Sequence, residues 1–429
     1  MFSLIAGLAS ALTAFVDVNV LPMDSQRVLR HQTVVVEGDT IASLGAVGKV
    51  VVPRDATKID GGGTKYLLPG LADMHTHVEE WNDLVLYTAN GVTTILQMGS
   101  ATLMDQHRVR QILAERQVVG PYMYSSLLID GKSRSGSLYA ETADDARALV
   151  RMAKRHGYEF IKLYNSPSRE QFLAVTDEAR KQNIGVVGHG VRAVGLPAAL
   201  FLGQSMVAHA AELYYTAFQN REDEKLIPSV VAETRRSGAY VTPNLSLMVV
   251  MTAQWGNPEQ VKKFLADPRA LAMSPGVRLM WTRDWRQRRT GDLSPLLRFL
   301  QKLTKAMQEA GVPLLTGTDS PPVPGAYPGY SIHDDLQALR DAGLTNYEAL
   351  VAATRAPGEY IASQVPNAQR FGQLRVGMKA DAVLVNGNPL DSLDVLEQPI
   401  GVMTAGRWMT AQELAQIVEA QKKTYQSLY

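Results

Sequence analysis

The chain has 429 residues, with 43 basic and 42 acidic side chains, 46% hydrophobic residues and a formal net charge of +1. This composition allows a sizeable core and excludes a largely disordered chain, and the balanced charge predicts no nucleic-acid partner. There is no cysteine, so disulfides and thiolate metal ligands are excluded and any metal must be bound by nitrogen and oxygen.

The N-terminal segment "MFSLIAGLASALTAF" is apolar and rich in small residues, which is typical of the middle of a secretory signal. Ala9, Ser10 and Ala11 form a tolerable cleavage motif, but no basic residue precedes Arg27. The segment is a trimmed signal, an addition made for expression, or the first structured element, and we favour a secreted or periplasmic location over the cytoplasm. No apolar run reaches the roughly 18 residues of a membrane span, so we expect no membrane partner.

Both ends of the chain have β character. Near the start, Val16, Val18 and Val20 alternate on one predicted strand face, and "TVVVEGDTIASLG" predicts a hairpin around Gly38-Asp39. Near the end, "GMKADAVLVNGNPL" and "IGVMTAGRWM" predict short strands, the latter with a turn at Ala405-Gly406. We therefore expect residues 1–66 and 372–429 to form one small β-sandwich domain.

Between them, residues 67–371 alternate short β-rich runs with helical ones, which indicates an α/β fold built from repeated βα units. The predicted strands are "GLADMHTHV", "VTTILQMG", "PYMYSSLLI", "FIKLY", "IGVVGHG", "SMVAHA", "AYVTPNL" and "VPLLTGTDS". Eight units predict a closed (β/α)8 TIM-like barrel. The segment 246–294 is too long for an ordinary loop, and it is interpreted either as a lid over the barrel mouth or as a helical insertion with buried tryptophans.

Catalytic residues of such a barrel lie at the carboxyl ends of its strands. Four histidines, one lysine and one aspartate occupy these positions or the strands leading to them: His75, His77, Lys162, His189, His209 and Asp319. Taken singly, each suits a hydrogen-bonded core residue or a helix cap. Together, imidazoles and a carboxylate in one cavity would be costly without a cation, so the set predicts a metal site. The remaining histidines, His31, His107, His156 and His333, are interpreted as structural or solvated.

Lys162 needs a special form, because an ammonium group beside divalent ions would be repelled. A desolvated lysine loses its proton readily, and the neutral amine can add carbon dioxide to form a carbamate that bridges two metals. The alternative is an ordinary cation that faces the substrate.

The motifs "PGLADMHTH", "LLTGTDS", "GLTNYEALVAATRAPGEYI" and "GQLRVGMKADAVLVNGNPL" resemble those of metal-dependent enzymes of the amidohydrolase superfamily, in the subgroup with a carboxylated lysine. The closest resemblance is to the prolidase-like and imidazolonepropionase-like branch, and Lys162 favours the binuclear, peptidase-like form. The resemblance implies His75, His77, Lys162 and Asp319 around one divalent metal, and Lys162, His189 and His209 around the other. It also implies a hydroxide between the two ions, for which zinc is the commonest choice.

Such a centre predicts hydrolysis of an amide bond in a dipeptide or N-acyl amino acid, with Asp319 as the proton shuttle. Lactones, carbamates or phosphotriesters are alternative substrates for the same centre, and a non-catalytic scaffold is a remote alternative. A homo-oligomer is possible. Candidate substrate-binding residues are Gln97, Tyr164, Tyr214 and Asn244, whereas the basic run "RDWRQRR" at residues 283–289 is interpreted as a solvated face rather than a carboxylate site.

Overall fold

The computed structural model describes residues 12–99, 106–115, 117–131 and 138–427. The expected cleavage motif at residues 9–11, and most of the signal-like segment, lie outside the described residues. Among the helices of the described residues, none combines the length and the apolar character needed to cross a bilayer.

The strands fall into two groups, with the terminal ones in one sheet and the central ones in the other. In chain order they are β1 Leu12–Val20, β2 Leu29–Glu37, β3 Thr40–Ala46, β4 Thr57–Asp60, β5 Tyr66–Pro69, β6 Leu71–Thr76, β7 Val92–Gln97, β8 Tyr122–Asp130, β9 Leu138–Tyr139, β10 Phe160–Leu163, β11 Gly185–Gly188, β12 Gln204–Ala208, β13 Tyr240–Thr242, β14 Ala382–Val385, β15 Gly401–Thr404 and β16 Arg407–Thr410.

The helices mostly follow the central strands, as expected for βα units. They are α1 Leu84–Ala89, α2 Gln106–Ala114, α3 Ala143–Arg155, α4 Arg169–Gln182, α5 Leu196–Phe201, α6 Ala210–Thr216, α7 Ile227–Ser237, α8 Leu245–Gln254, α9 Pro258–Ala266, α10 Pro275–Thr282, α11 Ser294–Glu309, α12 Ser331–Asp341, α13 Asn346–Ala353, α14 Arg355–Gln364 and α15 Ala411–Ser427. Short 3-10 helices lie at Trp81–Asp83, Glu224–Leu226, Pro268–Ala272, Trp285–Arg288 and Leu393–Leu396.

The terminal sheet joins the two ends of the chain, as the sequence predicts. Its order is β16-β15-β14-β5-β1-β2-β3, with β4 paired to β1. Phe15 on β1 and Trp408 on β16 meet edge to face at 5.2 Å, although three strands separate them in the sheet order. The sheet therefore curls so that its two halves enclose a core, which makes it sandwich-like. The predicted turns at Gly38-Asp39 and Ala405-Gly406 both occur.

One detail of β1 differs from the sequence prediction. Val16 does not share a face with Val18 and Val20, because a bulge interrupts the register between Phe15 and Val18. Asp17 has a φ of 53° at this point. Phe15, Val18 and Val20 therefore enter the core of the sheet, whereas Val16 packs on the opposite side.

The barrel is formed by parallel strands in the order β13-β12-β11-β10-β8-β7-β6. The eighth predicted strand, residues 312–320, closes the ring through single bridges, from Leu314 to Val241 and from Ser320 to Thr76. It is not a regular strand, since the backbone N–H groups of Gly317 and Thr318 donate to the carboxylates of Asp335 and Asp73 instead of to a neighbouring strand. The chain passes from the terminal sheet to the barrel at Gly70, between β5 and β6. The domain boundaries at residues 66 and 371 stay a prediction.

The segment 246–294 is largely helical, and it contains most of α8 together with α9 and α10. Trp281 is fully buried and donates its indole N–H to the carbonyl of Pro321 at 2.7 Å. Trp285 is 49% exposed and lies edge-on to Trp255. The segment is thus anchored beside the end of the closing segment of the barrel. Its role as a lid stays a prediction.

Candidate metal centre

The predicted metal-binding side chains meet at one rim of the barrel. His75 is the penultimate residue of β6 and His77 directly follows that strand, Lys162 lies on β10, and His189 and His209 come directly after β11 and β12. Asp319 lies near the end of the closing segment, where its backbone N–H donates to the carbonyl of His75 at 2.7 Å. Because the strands are parallel, their carboxyl ends reach the same rim. We call these six side chains the rim cluster.

Asp319 is the centre of the rim cluster. Its Oδ1 lies 3.3 Å from Nε2 of His75 and 3.0 Å from Nε2 of His77. Its Oδ2 lies 3.9 Å from Nε2 of His209. Ligand atoms of His75, His209 and Asp319 all lie within 4.8 Å of one another, which is the spacing of a possible metal site.

Lys162 reaches the rim cluster from within strand β10. Its side chain is 1% exposed, and its Nζ lies 3.1 Å from Nε2 of His75. Burial lowers the pKa of Lys162 to about 8, although the negative charges of Asp319 and Glu212 act in the opposite direction. The amine is therefore available in its neutral form far more readily than that of a surface lysine.

His189 is oriented by its neighbours on the side away from the cluster. Its Nδ1 lies 2.9 Å from Oε1 of Glu212 and 3.3 Å from Oδ1 of Asn165, and its ring stacks on Tyr164 at 4.1 Å. The ring meets that of His209 at 5.0 Å. A carboxylate bound to Nδ1 fixes the proton on that nitrogen and leaves Nε2 as a free donor for a metal.

His77 is arranged in the same way. Its Nδ1 lies 2.6 Å from the carbonyl oxygen of Gly99, which can only accept a hydrogen bond, so Nδ1 carries the proton and Nε2 is the lone-pair nitrogen. His77 thus presents Nε2 to Asp319, and His189 likewise keeps Nε2 as its unprotonated nitrogen.

Burial makes the cluster suited to ligand chemistry rather than to ion pairing. Burial and the nearby positive charge of Lys162 lower the pKa of His75 well below its usual range, and burial lowers the pKa of His209 to about 3. Burial alone would raise the pKa of Asp319, but the neighbouring His75, His77 and His209 hold that pKa well below its usual range. Neutral imidazoles beside an ionised carboxylate form the nitrogen and oxygen donor set that divalent transition metals accept, so these residues fit such an ion.

Three rim residues have left-handed backbones although none is glycine: His209 at φ 73°, Asn244 at 52° and Asp319 at 55°. Asn244 links His209 to the closing segment that carries Asp319, because its Oδ1 accepts from the N–H of His209 at 3.2 Å and its Nδ2 donates to the carbonyl of Gly317 at 2.6 Å. Strained conformations of this kind cost energy and are held by surrounding structure, commonly at active sites.

Sequence reasoning missed the supporting carboxylates Glu212 and Asp73. Glu212 follows His209 by three residues, a spacing that brings it back toward the strand ends. Asp73 is fully buried and accepts hydrogen bonds from the backbone of His75 at 3.2 Å and from the hydroxyl of Thr318 at 2.6 Å. The motif "ADMHTH" already contains Asp73, but only the folded barrel shows that it joins the first and last strands.

The four predicted substrate-binding residues lie in different surroundings. Tyr164 and Asn244 line the cavity beside the cluster, which has a volume of about 550 Å³. The amide of Gln97 instead bonds to both backbone polar groups of Val78, and Tyr214 is buried with its hydroxyl donating to Glu222 at 3.0 Å. Tyr215, the next residue, lines the cavity.

The basic run at residues 283–289 is only partly a solvated face. Arg283, Arg288 and Arg289 are exposed, but Arg286 lines the cavity. The remaining histidines are separate from the rim cluster. His31, for example, is an exposed partner of Asp17, with Nδ1 2.7 Å from the carboxylate.

The chain forms a closed α/β barrel that is joined to a β module built from both termini. A cluster of histidine, lysine and aspartate side chains lies at the carboxyl rim of the barrel. This is the architecture of a metal-dependent hydrolase. The amidohydrolase family profile matches residues 135–406, and the chain belongs to that family. It is therefore a hydrolase that acts on carbon–nitrogen bonds of the amide type, rather than a non-catalytic scaffold.

Similar proteins support the same fold. The chain is 24% identical to the ochratoxinase of Aspergillus niger, over 87% of this chain and 81% of that protein. Among solved structures, it is similar to a bottromycin amidohydrolase, with a TM-score of 0.76 and 22% identity over 96% of this chain and 90% of the other. A Xaa-Pro dipeptidase with bound methionine gives a TM-score of 0.68 and 18% identity, over 93% of this chain and 100% of the other.

Proposed function

We propose that this enzyme hydrolyses the amide bond of small substrates, namely dipeptides or N-acyl amino acids, with two divalent metal ions in the rim cluster. The observation that carries the proposal is the convergence of His75, His209 and Asp319 within 4.8 Å, with the buried amine of Lys162 3.1 Å from His75. A purely structural role does not explain why a buried lysine amine contacts an imidazole nitrogen and forms no ion pair with a carboxylate of the described residues.

Two overlapping ligand sets are proposed. His75, His77, Lys162 and Asp319 hold one ion, and Lys162, His189 and His209 hold the other. Zinc is the first choice, because it accepts nitrogen and oxygen donors and the nitrogen donors of this site are mostly neutral imidazoles. When bound, the divalent ions supply Lewis acidity, which activates water at neutral pH and polarises the substrate carbonyl.

Lys162 is proposed to act as a carbamate. The neutral amine attacks carbon dioxide, a carbon–nitrogen bond forms, and one amine proton leaves to solvent, so that a cation is replaced by a bidentate anion. Burial of the amine supports this reaction, since it disfavours the ammonium form. The new anion offsets the positive charge that two metal ions bring to the cluster.

Asp319 is proposed as the proton shuttle. Its Oδ1 is engaged with His75 and His77, while its Oδ2 is 3.9 Å from the nearest of the cluster histidines, His209. Oδ2 is therefore the oxygen that accepts a proton from the attacking water and passes it to the leaving nitrogen. The neighbouring histidines hold the pKa of Asp319 well below its usual range, so Asp319 is ionised and able to accept a proton.

The test is hydrolysis by protein that is stripped of metal and then reconstituted with zinc, with a chelated sample as the control. The panel contains N-acyl amino acids together with proline dipeptides and ochratoxin, which the names of the similar dipeptidase and ochratoxinase indicate. We expect amide hydrolysis and about two zinc ions per chain. Hydrolysis that persists in the chelated sample, or a panel of lactones and phosphotriesters cleaved in preference to every amide, contradicts the proposal.

A matched variant tests the shuttle. Asp319→Asn is expected to lower kcat by about 100-fold or more, because it removes the proton acceptor from its position. Asp341→Asn, which changes a carboxylate on the outer helix α12, serves as the control. Asp319→Asn activity equal to that of the control contradicts the assigned role.

A further inference from the structure

The cavity beside the rim cluster contains two guanidinium groups that the proposed function leaves unused. Arg192 comes three residues after His189, in the loop that follows β11. Arg286 belongs to the segment 246–294 of the same barrel domain and lies almost a hundred positions further along the chain. Both line the cavity together with Asp319 and His189.

The acidic groups of the cavity wall do not neutralise these arginines. Glu212 is committed to His189 at 2.9 Å and to the amide of Asn165 at 3.0 Å, and Asp319 is committed to the histidines of the rim cluster. Arg192 is exposed and makes no ion pair with a carboxylate among the described residues. The charge of Arg192 is therefore not balanced by an ion pair on the described cavity wall.

Arg286 is held in place rather than mobile. Its Nη1 lies 2.7 Å from the buried carboxylate of Asp284, and its guanidinium lies 5.0 Å from the ring centre of Trp285. Its Nε is buried and has no hydrogen-bond partner among the described residues. A guanidinium that is fixed on one side and unsatisfied on another loses little entropy when it binds an anion.

The remaining cavity wall from α8 is apolar. Leu247, Met248 and Met251 lie on it, opposite the polar residues of the barrel loops. Flexible methionine side chains adapt to apolar groups of different shape. The cavity thus combines an anion-binding side with an adaptable apolar side.

We propose that Arg192 and Arg286 select substrates that carry a free carboxylate on the leaving amino acid. The substrate class is then N-acyl amino acids and dipeptides with an unblocked C-terminus, whereas amidated or internal peptide bonds are poor substrates. Arginine binds carboxylates through parallel charge-assisted hydrogen bonds, which gives both affinity and orientation. This inference rests on the proposed amide hydrolysis and adds its specificity.

The test uses zinc-loaded enzyme and a pair of compounds, N-acetylphenylalanine and N-acetylphenylalaninamide, with release of acetate as the readout for both. The wild type is expected to prefer the free acid by about 10- to 100-fold in kcat/KM, as follows from loss of a charged hydrogen bond. Arg192→Gln and Arg286→Gln should each lower kcat/KM for the acid, mainly through KM, and leave the amide unchanged. The double variant should lose the preference, and Arg286→Lys should retain part of it.

Arg288→Gln is the matched control, because Arg288 lies on the same short helix and is exposed. It should leave the activity on both compounds unchanged. Equal cleavage of the two compounds by the wild type overturns the inference while the proposed function stands. The same conclusion follows if Arg192→Gln and Arg286→Gln both behave like the control. A wild-type enzyme that cleaves neither compound, nor any amide of the larger panel, overturns both.

Discussion

Glu212 supports His189 from behind the rim cluster, with Oε1 of Glu212 2.9 Å from Nδ1 of His189. The same carboxylate accepts a hydrogen bond from the backbone of Gly190 at 3.1 Å. It thereby fixes both the position of the loop after β11 and the proton on His189. A metal ligand oriented in this way binds more tightly, since the imidazole is held with its free nitrogen toward the ion.

Glu212→Gln and Glu212→Ala are therefore expected to weaken retention of metal by about 10- to 100-fold. The measurement is metal content after dialysis against a graded series of chelator concentrations. Glu224→Gln, a change at an exposed residue that pairs with Lys302, is the control and should behave as the wild type. Unchanged metal retention in both Glu212 variants would show that this carboxylate has no role in orienting His189.

Lys162→Ala is expected to abolish the binding of two metals and to lower kcat by more than about 100-fold, because the proposed bridging anion is lost. The substitution leaves a cavity of about the size of the missing side chain. Acetate or propionate added at millimolar to molar concentration should restore part of the metal content and activity, since a small carboxylate can occupy that space.

The carbamate itself is open to direct measurement. Intact mass of the native zinc-loaded protein should show one added carbon dioxide, and the addition should be absent in Lys162→Ala. Full activity in Lys162→Ala without any added carboxylate, or a native mass with no addition in fully active enzyme, contradicts the carbamate.

Asp83 makes stability depend on pH. It is 3% exposed and ties the C-terminal helix α15 to the barrel, with Oδ1 3.0 Å from the hydroxyl of Tyr425 and 3.1 Å from the amide of Gln421. Burial raises the pKa of Asp83 to about 7, compared with about 3.9 for an unfolded aspartate. Between these values the folded protein keeps a proton that the unfolded chain has released, so stability falls as the pH rises through this window.

Asp83→Asn retains an oxygen for Tyr425 and Gln421 but cannot ionise. The free energy of unfolding, measured in urea between pH 4 and 8, should fall less steeply with pH in this variant, by the equivalent of at most one proton. Asp144→Asn, at a side chain that is 95% exposed, should keep the wild-type slope. Identical slopes for wild type and Asp83→Asn would rule out Asp83 as the source of the pH dependence.

Trp281 is expected to be the anchor of the segment 246–294. Trp281→Ala should lower the free energy of unfolding by about 3 to 5 kcal/mol, because it removes a fully buried indole and its hydrogen bond to Pro321. Trp281→Phe should cost less, since much of the packing is kept. Trp285→Ala, at a half-exposed position in the same segment, is the control. If all three variants unfold at the same midpoint urea concentration as the wild type, the anchor role is contradicted.

Much of the candidate site was predictable because strand ends are local features. A histidine such as His189 follows a run of small and β-branched residues, and parallel strands bring their carboxyl ends together regardless of the loops between them. Asp319 was predictable for the same reason, although its segment makes only bridges and not a regular strand. The bulge at Asp17 was not predictable from the alternation of valines, since it depends on pairing with β2.

The sequence by itself determined the order of the βα units, the pairing of the two termini and the residues available as ligands, because hydrophobic period and turn residues act over a few positions. Only the tertiary structure decided which polar groups support them. Asp73 contacts Thr318, which lies 245 residues further along the chain. Arg286 lines the cavity, unlike its exposed neighbours in the basic run, only because of the way in which its segment folds onto the barrel. Such contacts depend on how distant elements pack, and no local pattern of residue types specifies that packing.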